Sequence, residues 1–340
     1  MTDVPVESPS LGEPQLEDLE AAGVRLADAV RHTPLLPLVL EGSAFPVFVK
    51  PENLQAVGSF KIRGATNFLA SLPEEVRARG VVAQSSGNHA QGVAAAAKHF
   101  GVKATIVIPE GAPAVKVGNT RELGATVVRC ENTQEAREST AAAIAEKDGS
   151  TIVPPYDHPW IVAGQGTVGL EIVADLPEVK NVIVPIGGGG LASGVSLAIR
   201  SLAPGAQVIG VEPALAADAK ESLEAGELRG WSAEKVTRTI ADGVRTQRIG
   251  ELNFTMLSRY LAGVVTVDET AIADEVRFYA TKAHLVVEPT GAISLAALRR
   301  LLVEGAVDGI ALVPGPTVVI ASGGNVDPGK LGDYLAAKVE

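Results

Sequence analysis

The sequence predicts an α/β protein built on two parallel sheets. Two observations carry this. Short apolar runs alternate with helical stretches of roughly 10–15 residues, the order that yields parallel strands joined by crossover helices. The core must also be aliphatic, because 46% of the 340 residues are hydrophobic and only 4% are aromatic. A chain of this length holds about two domains of roughly 150 residues each.

Residues 1–14 read as a loose lead-in. Gln15 to Val30 has helical spacing, with Leu16, Leu19, Val24, Leu26 and Val30 as its apolar positions. Extended segments are expected at Thr33–Leu36 and Phe45–Lys50. Next comes Gly58-Ser59-Phe60-Lys61-Ile62-Arg63-Gly64-Ala65, before a helix-compatible run from Ala65 to Leu72. Ser59 suits a helix N-cap, because its hydroxyl can accept from an orphan backbone N–H one turn in. From about residue 80 the pattern is β-α-β. Strands are expected at Val81–Ala83, Ala104–Pro109, Thr126–Arg129 and Thr151–Val153, with helices at Ala90–Phe100, Pro113–Leu123 and Thr133–Lys147. A second series follows, with strands at Asn181–Ile186, Gln207–Val211, Val264–Asp268 and Thr317–Ala321. Helices are expected at Leu191–Leu202 and near Asp218–Ala225.

Bulk properties exclude several classes. A net charge of -11 argues against a nucleic-acid or acidic-membrane binder. The single cysteine, Cys130, excludes an intrachain disulfide and a cysteine-cluster metal site. No apolar run reaches the roughly 18 residues of a spanning helix. The first residues lack a basic stretch and an apolar core, so no signal peptide is expected and a cytoplasmic protein is. The histidines His32, His89, His99, His158 and His284 have no zinc-type spacing, and there is no G-x-S-x-G elbow.

Five stretches carry candidate chemistry. Lys61 falls in a first helical turn, where the dipole disfavours a cation, so its pKa should fall toward what Schiff-base chemistry needs. Ser85-Ser86-Gly87-Asn88-His89 joins a strand to a helix, a natural seat for a carboxylate. Gly187-Gly188-Gly189-Gly190 follows an apolar strand and lets successive backbone N–H groups point at one anion. An acidic protein can hold a phosphate this way. Ser322-Gly323-Gly324-Asn325 lies at the carboxyl end of a strand, where ligands bind in open α/β sheets. Glu212 and Asp218 could share a hard cation with a backbone carbonyl between them. Taken singly, each stretch also fits a plain turn or a solvated surface. Gly187, Gly189 and Ala192 also fit G-x-G-x-x-A, with Glu212 about 20 residues on, the dinucleotide fingerprint.

Taken together, SFKIRGA, SSGNHAQG, GGGGL, VEP followed by Asp218, VEPTGA and SGGN stand in the order found in fold type II pyridoxal-phosphate enzymes. The sequence resembles their threonine/serine dehydratase and serine racemase branch from about residue 30 to residue 327. The resemblance implies a tryptophan synthase β-like fold, with two parallel-sheet α/β/α domains and the cofactor in the cleft between them. Residues 1–74 and 159–340 would form the large domain, and 75–158 a small inserted one.

The resemblance also implies roles. Lys61 resembles the lysine that joins the cofactor aldehyde, and Phe60 the ring-stacking residue before it. Asn88 resembles the asparagine bonded to the pyridine 3-hydroxyl, Gly187 to Gly190 (Gly187, Gly188, Gly189, Gly190) the phosphate cradle, and Ser322 the hydroxyl at the pyridine nitrogen. Glu288 matches an acidic residue near the ring. Ser85, Ser86 and His89 fall in the loop that grips the substrate carboxylate, and Asn88 sits within it. Ser86 also matches the serine that serves racemases as acid/base on the face opposite Lys61. Arg137 lies where some relatives have an arginine near the substrate side chain. Glu212, the Ala216 carbonyl and Asp218 match a divalent cation site for Mg²⁺, Ca²⁺ or Mn²⁺.

The implied reaction is β-elimination from a small hydroxyamino acid such as L-threonine or L-serine, giving a 2-oxo acid and ammonia. Serine or hydroxyaspartate racemisation is the alternative, and an NAD-dependent oxidoreductase is a more distant one. A small amino-acid substrate and a homodimer are expected, with no nucleic-acid or membrane partner. The sequence ends soon after SGGN, so feedback by isoleucine through an appended regulatory domain is not expected.

Overall fold

A computed structural model describes residues 12–112 and 114–336. The first eleven residues of the expected lead-in, and Pro113 at an expected helix start, lie outside the described residues. The strands are β1 (Leu36–Leu38), β2 (Val47–Pro51), β3 (Val81–Gln84), β4 (Ala104–Pro109), β5 (Thr126–Cys130) and β6 (Thr151–Ile152). They continue with β7 (Asn181–Pro185), β8 (Gln207–Pro213), β9 (Gly263–Val267), β10 (Ala306–Val307), β11 (Ile310–Ala311) and β12 (Thr317–Ala321). One sheet has six strands in the order β1-β2-β12-β7-β8-β9, and another has four in the order β5-β4-β3-β6; β10 and β11 form a small hairpin.

All neighbours in the four-stranded sheet are parallel. The six-stranded sheet is parallel except at its edge, where Leu36 opposes Val49 in an antiparallel β1–β2 pair. The turn between β1 and β2 is too short for the crossover a parallel pair requires.

The central strands read as continuous apolar runs because both their faces are covered. Alternation decides which residue meets which layer. Ile183 and Val319 pack with Ile293, Ala296, Ala297 and Leu298 on the helix Pro289–Glu304. Val182, Val184, Val318 and Ile320 face the other way. They meet Val168 and Ile172 of the helix Pro159–Asp175 and Val195 and Ile199 of the helix Gly190–Leu202. In the smaller sheet, Ala83, Ile106 and Ile108 cluster with Phe68, Leu69 and Val93, while Val82 and Val107 meet Ala141.

The first helix runs Leu16–Leu26 rather than to Val30, because no side chain from residues 27–30 is buried and packing ends there. The helix Lys61–Ser71 sits between the two sheets. Phe68 and Leu69 join the core of the smaller sheet, while its other side presses on the helix Pro159–Asp175. That contact is backbone against backbone. A Cβ on Gly164 would fall 2.7 Å from the Arg63 carbonyl oxygen, and one on Gly64 would overlap Gln165.

Candidate active site

Lys61 opens its helix, and Phe60 is the N-cap. Ser59 does not cap it, contrary to expectation. Ser59 instead pairs with Gly323 across an antiparallel bridge, and its buried hydroxyl has no hydrogen-bond partner. The Phe60 N–H donates to the Ser322 carbonyl at 3.2 Å. A long-range contact therefore overrides the local cap, and it sets the SGGN stretch beside the lysine.

The Lys61 amine donates to the Pro155 carbonyl at 2.7 Å and lies 5.3 Å from the Phe60 ring centroid. Burial pulls its pKa down to about 8. The direction agrees with expectation, and desolvation on burial drives it. The next residue after Pro155, Tyr156, lies against the glycine loop: a Cβ on Gly188 would overlap its ring. Gly189 has φ +95°, a left-handed conformation that favours glycine, and it precedes the helix Gly190–Leu202. The loop thus presents a helix N-terminus whose first N–H groups have no partner within the helix.

Ser322 is 1% exposed and its hydroxyl has no hydrogen-bond partner. A buried hydroxyl left unpaired is costly, so a partner is expected there when the site is in use. Asn88 starts the helix Asn88–Phe100, and its Nδ2 donates to Glu288 Oε1 at 2.7 Å. Burial, with the charge of Asp242, lifts the Glu288 carboxyl to about 7. The Glu288 N–H donates to the Gly323 carbonyl, which ties this acid to the same stretch.

Ser85 and Ser86 are half-buried in the loop after β3, and the Ser85 hydroxyl accepts from the Gly87 N–H. His89 points elsewhere: its Nε2 lies 3.0 Å from the Val153 carbonyl, so that nitrogen carries the proton. Burial, with the charge of Lys61, lowers its pKa to about 3, so the ring is neutral. Arg137 is half-buried on the helix Gln134–Asp148. Among the described residues, no side-chain hydrogen bond links it to the Lys61 group.

Glu212 closes toward the first turn of the helix Asp218–Ala225, accepting from the Ala219 and Lys220 N–H groups at 3.0 and 2.8 Å. Both Asp218 carboxylate oxygens are buried and bond no other side chain among the described residues, with only the backbone N–H groups of Asp218 itself and Ile249 facing them, and Ala216 is fully buried beside them in sequence. Burial, then the charge of Asp218, pushes Glu212 well up, and burial lifts Asp218 to about 7. Ile249, whose backbone N–H faces Asp218, also packs on Gly189, so the acid pair lies behind the glycine loop.

Sequence reasoning missed the groups that hold these in place. Arg63, 1% exposed, pairs with Glu52 and Glu171, and Lys50 also bonds Glu171. A fully buried arginine two residues past Lys61 is not visible in a sequence that gives no partners. Tyr156 gave one weak signal, its place in the proline-rich stretch Pro154-Pro155-Tyr156-Asp157-His158-Pro159.

An amine of lowered basicity suits an aldehyde, a glycine loop at a helix start suits a phosphate, and an unpaired hydroxyl suits a ring nitrogen. One molecule that joins those three groups is pyridoxal phosphate, and an enzyme that uses it is the class these residues fit. The chain belongs to the pyridoxal-phosphate dependent enzyme family, which it matches over residues 26–325. It is 44% identical to an L-threonine ammonia-lyase of Thermotoga maritima, over 92% of this chain and 76% of that one. It is 38% identical to an L-threo-3-hydroxyaspartate ammonia-lyase of Saccharomyces cerevisiae, over 96% and 97%. The solved structure of maize serine racemase superposes with a TM-score of 0.88 at 36% identity, over 95% of this chain and 97% of that one.

Proposed function

We propose that this enzyme removes water from a small hydroxyamino acid such as L-threonine or L-serine to release an enamine, which water then hydrolyses to a 2-oxo acid and ammonia. The observation that carries the reading is the Lys61 amine, its pKa lowered to about 8, beside the Ser322 stretch and linked through Pro155 and Tyr156 to the glycine loop. Pyridoxal phosphate, when bound, supplies an aldehyde for amino groups and a conjugated ring that takes up the electron pair left at Cα.

The chain's own residues do the rest. Gly187 to Gly190 would hold the phosphate with backbone N–H groups, and Phe60 would lie against the ring. Asn88 would donate to the ring oxygen, with Glu288 behind it. Ser322 would offer a hydroxyl, not a carboxylate, to the ring nitrogen, leaving it without a fixed anion to keep it protonated. Lys61 would hold the cofactor through its aldehyde, and its neutral amine would take the Cα proton. Ser85 and Ser86, with the first turn at Asn88 and His89, receive the substrate carboxylate. Ser86, or the phosphate held by the glycine loop, would give a proton to the departing hydroxyl and regain one from solvent. Glu212, Asp218 and the Ala216 carbonyl would hold a divalent cation such as Mg²⁺, Ca²⁺ or Mn²⁺, which would remove the repulsion between the two carboxylates. Residues 1–74 and 159–340 form the large domain and 75–158 the small one, in a cytoplasmic homodimer.

Racemisation of serine or 3-hydroxyaspartate is the second reading. It needs a proton carrier on each face of Cα, and Lys61 with Ser86 supplies the pair; the maize relative favours it. A panel of L-threonine, L-serine, D-serine and threo-3-hydroxyaspartate, read by 2-oxo acid assay and chiral analysis, separates the two. Arg137 is engaged only if the hydroxyaspartate turns over through its distal carboxylate. Lys61→Ala is expected to abolish both the bound-cofactor absorbance and turnover. Borohydride reduction and peptide mapping should place the cofactor on Lys61; label on another lysine overturns the assignment.

A further inference from the structure

Four stretches far apart in the sequence meet at Asn325. Its Nδ2 donates to the Val57 carbonyl at 2.8 Å and to Asn88 Oδ1 at 2.8 Å. Asn88 Nδ2 then donates to Glu288 Oε1 at 2.7 Å. Gly58 leaves room for this contact, since a Cβ there would fall 2.6 Å from Asn325 Oδ1.

The direction of the chain is set at its first link. A backbone carbonyl only accepts, so the Asn325 end that faces Val57 must be its NH₂ group. The Asn88 atom facing that NH₂ must then be oxygen, because two NH₂ groups would meet donor to donor. This leaves the Asn88 NH₂ toward Glu288, with one N–H committed there and one to spare. Glu288 cannot set this direction alone. A carboxyl accepts when ionised and donates when protonated, and burial with the Asp242 charge brings this one to about 7, opposed by Asn88 and the Lys116 charge.

We propose that Asn325 is a positioning residue that fixes which end of the Asn88 amide faces the cofactor, so that Asn88 presents an N–H donor. This rests on the reading of Asn88 as a ring contact. Without Asn325 the Asn88 amide can turn over, and half of its orientations would set an acceptor against the ring oxygen.

The test is a double-mutant cycle on refilled apoenzyme, read by equilibrium dialysis of pyridoxal phosphate and by the absorption maximum of the bound cofactor. Asn325→Ala and Asn88→Ala are each expected to weaken binding by about tenfold and to shift the maximum. The double variant should be no more than about twofold weaker than Asn88→Ala alone. Asn325→Ser, too short to bridge both acceptors, is expected to match Asn325→Ala and replaces it if that variant does not fold. Multiplying losses in the double variant, or wild-type binding and spectrum in Asn325→Ala, would overturn the role of Asn325. Wild-type binding and spectrum in Asn88→Ala would instead overturn the ring contact, and the proposal with it.

Discussion

Two largely buried groups of carboxylates, Glu52 with Glu171 and Glu212 with Asp218, are built in opposite ways. Glu52 and Glu171 are matched by two cations. Arg63 bonds both, Lys50 bonds Glu171, and the Thr33 hydroxyl donates to Glu52 at 2.6 Å. Burial pushes the Glu171 carboxyl up, but Arg63 and Lys50 outweigh it and hold it below the usual range. Glu212 and Asp218 have each other, with no cationic side chain bonded to either among the described residues, and both are pushed up. The first group is complete and serves to anchor the lysine helix. The second is incomplete: among the described residues it lacks a bonded countercharge.

The largest effect should come from breaking the complete group. Arg63→Met leaves two carboxylates facing one lysine, and removing a partner from a buried pair costs about 3–5 kcal/mol. Urea unfolding of the apoprotein measures this, and a loss under about 1 kcal/mol would mean that the group does not carry the fold. Next comes completing the incomplete one. Mg²⁺ at a hundredfold excess over its Kd should stabilise the protein by about 2.7 kcal/mol. Asp218→Asn should remove that gain while leaving the metal-free protein no less stable, since it relieves a like-charge pair. Equal gains in both proteins would place the cation elsewhere.

A smaller effect concerns pH. A carboxyl with a lowered folded pKa adds stability that is full above its unfolded value, near about 4.3, and lost as pH falls through the folded value. Urea midpoints taken down the acid range should therefore fall less steeply in Glu171→Gln than in wild type; parallel slopes would contradict the balance inferred for Glu171. The smallest change is expected on the surface. Arg248 and Glu251 are 3.3 Å apart and both exposed, so Arg248→Ala should shift stability by no more than about 0.5 kcal/mol.

What was legible in the sequence was what is local. Strands such as Ala104–Pro109 and Thr317–Ala321 read correctly because burial on both faces leaves an uninterrupted apolar run. The glycine loop reads as an anion site because a plain turn rarely needs four consecutive glycines, whereas SGGN alone fits a terminal turn equally well and gains meaning only beside the other stretches. Ser59 fails as a cap because Gly323, far along the chain, claims that backbone. Arg63 and Asn325 stand in motifs without a readable role, since their partners Glu171 and Asn88 lie 108 and 237 residues away. Helices such as Pro159–Asp175 and Pro289–Glu304 escape a periodicity reading, because apolar residues on all sides hide the helical period.

The bare contact between Gly64 and Gly164 has a mechanical meaning. The Gly64 Cα lies only 2.7 Å from where a Cβ on Gly164 would stand, so the first turns of the lysine helix take their position from the main chain of the neighbouring helix. Rotamer changes cannot blur that reference point, and all the freedom left to the amine lies in its own four methylenes.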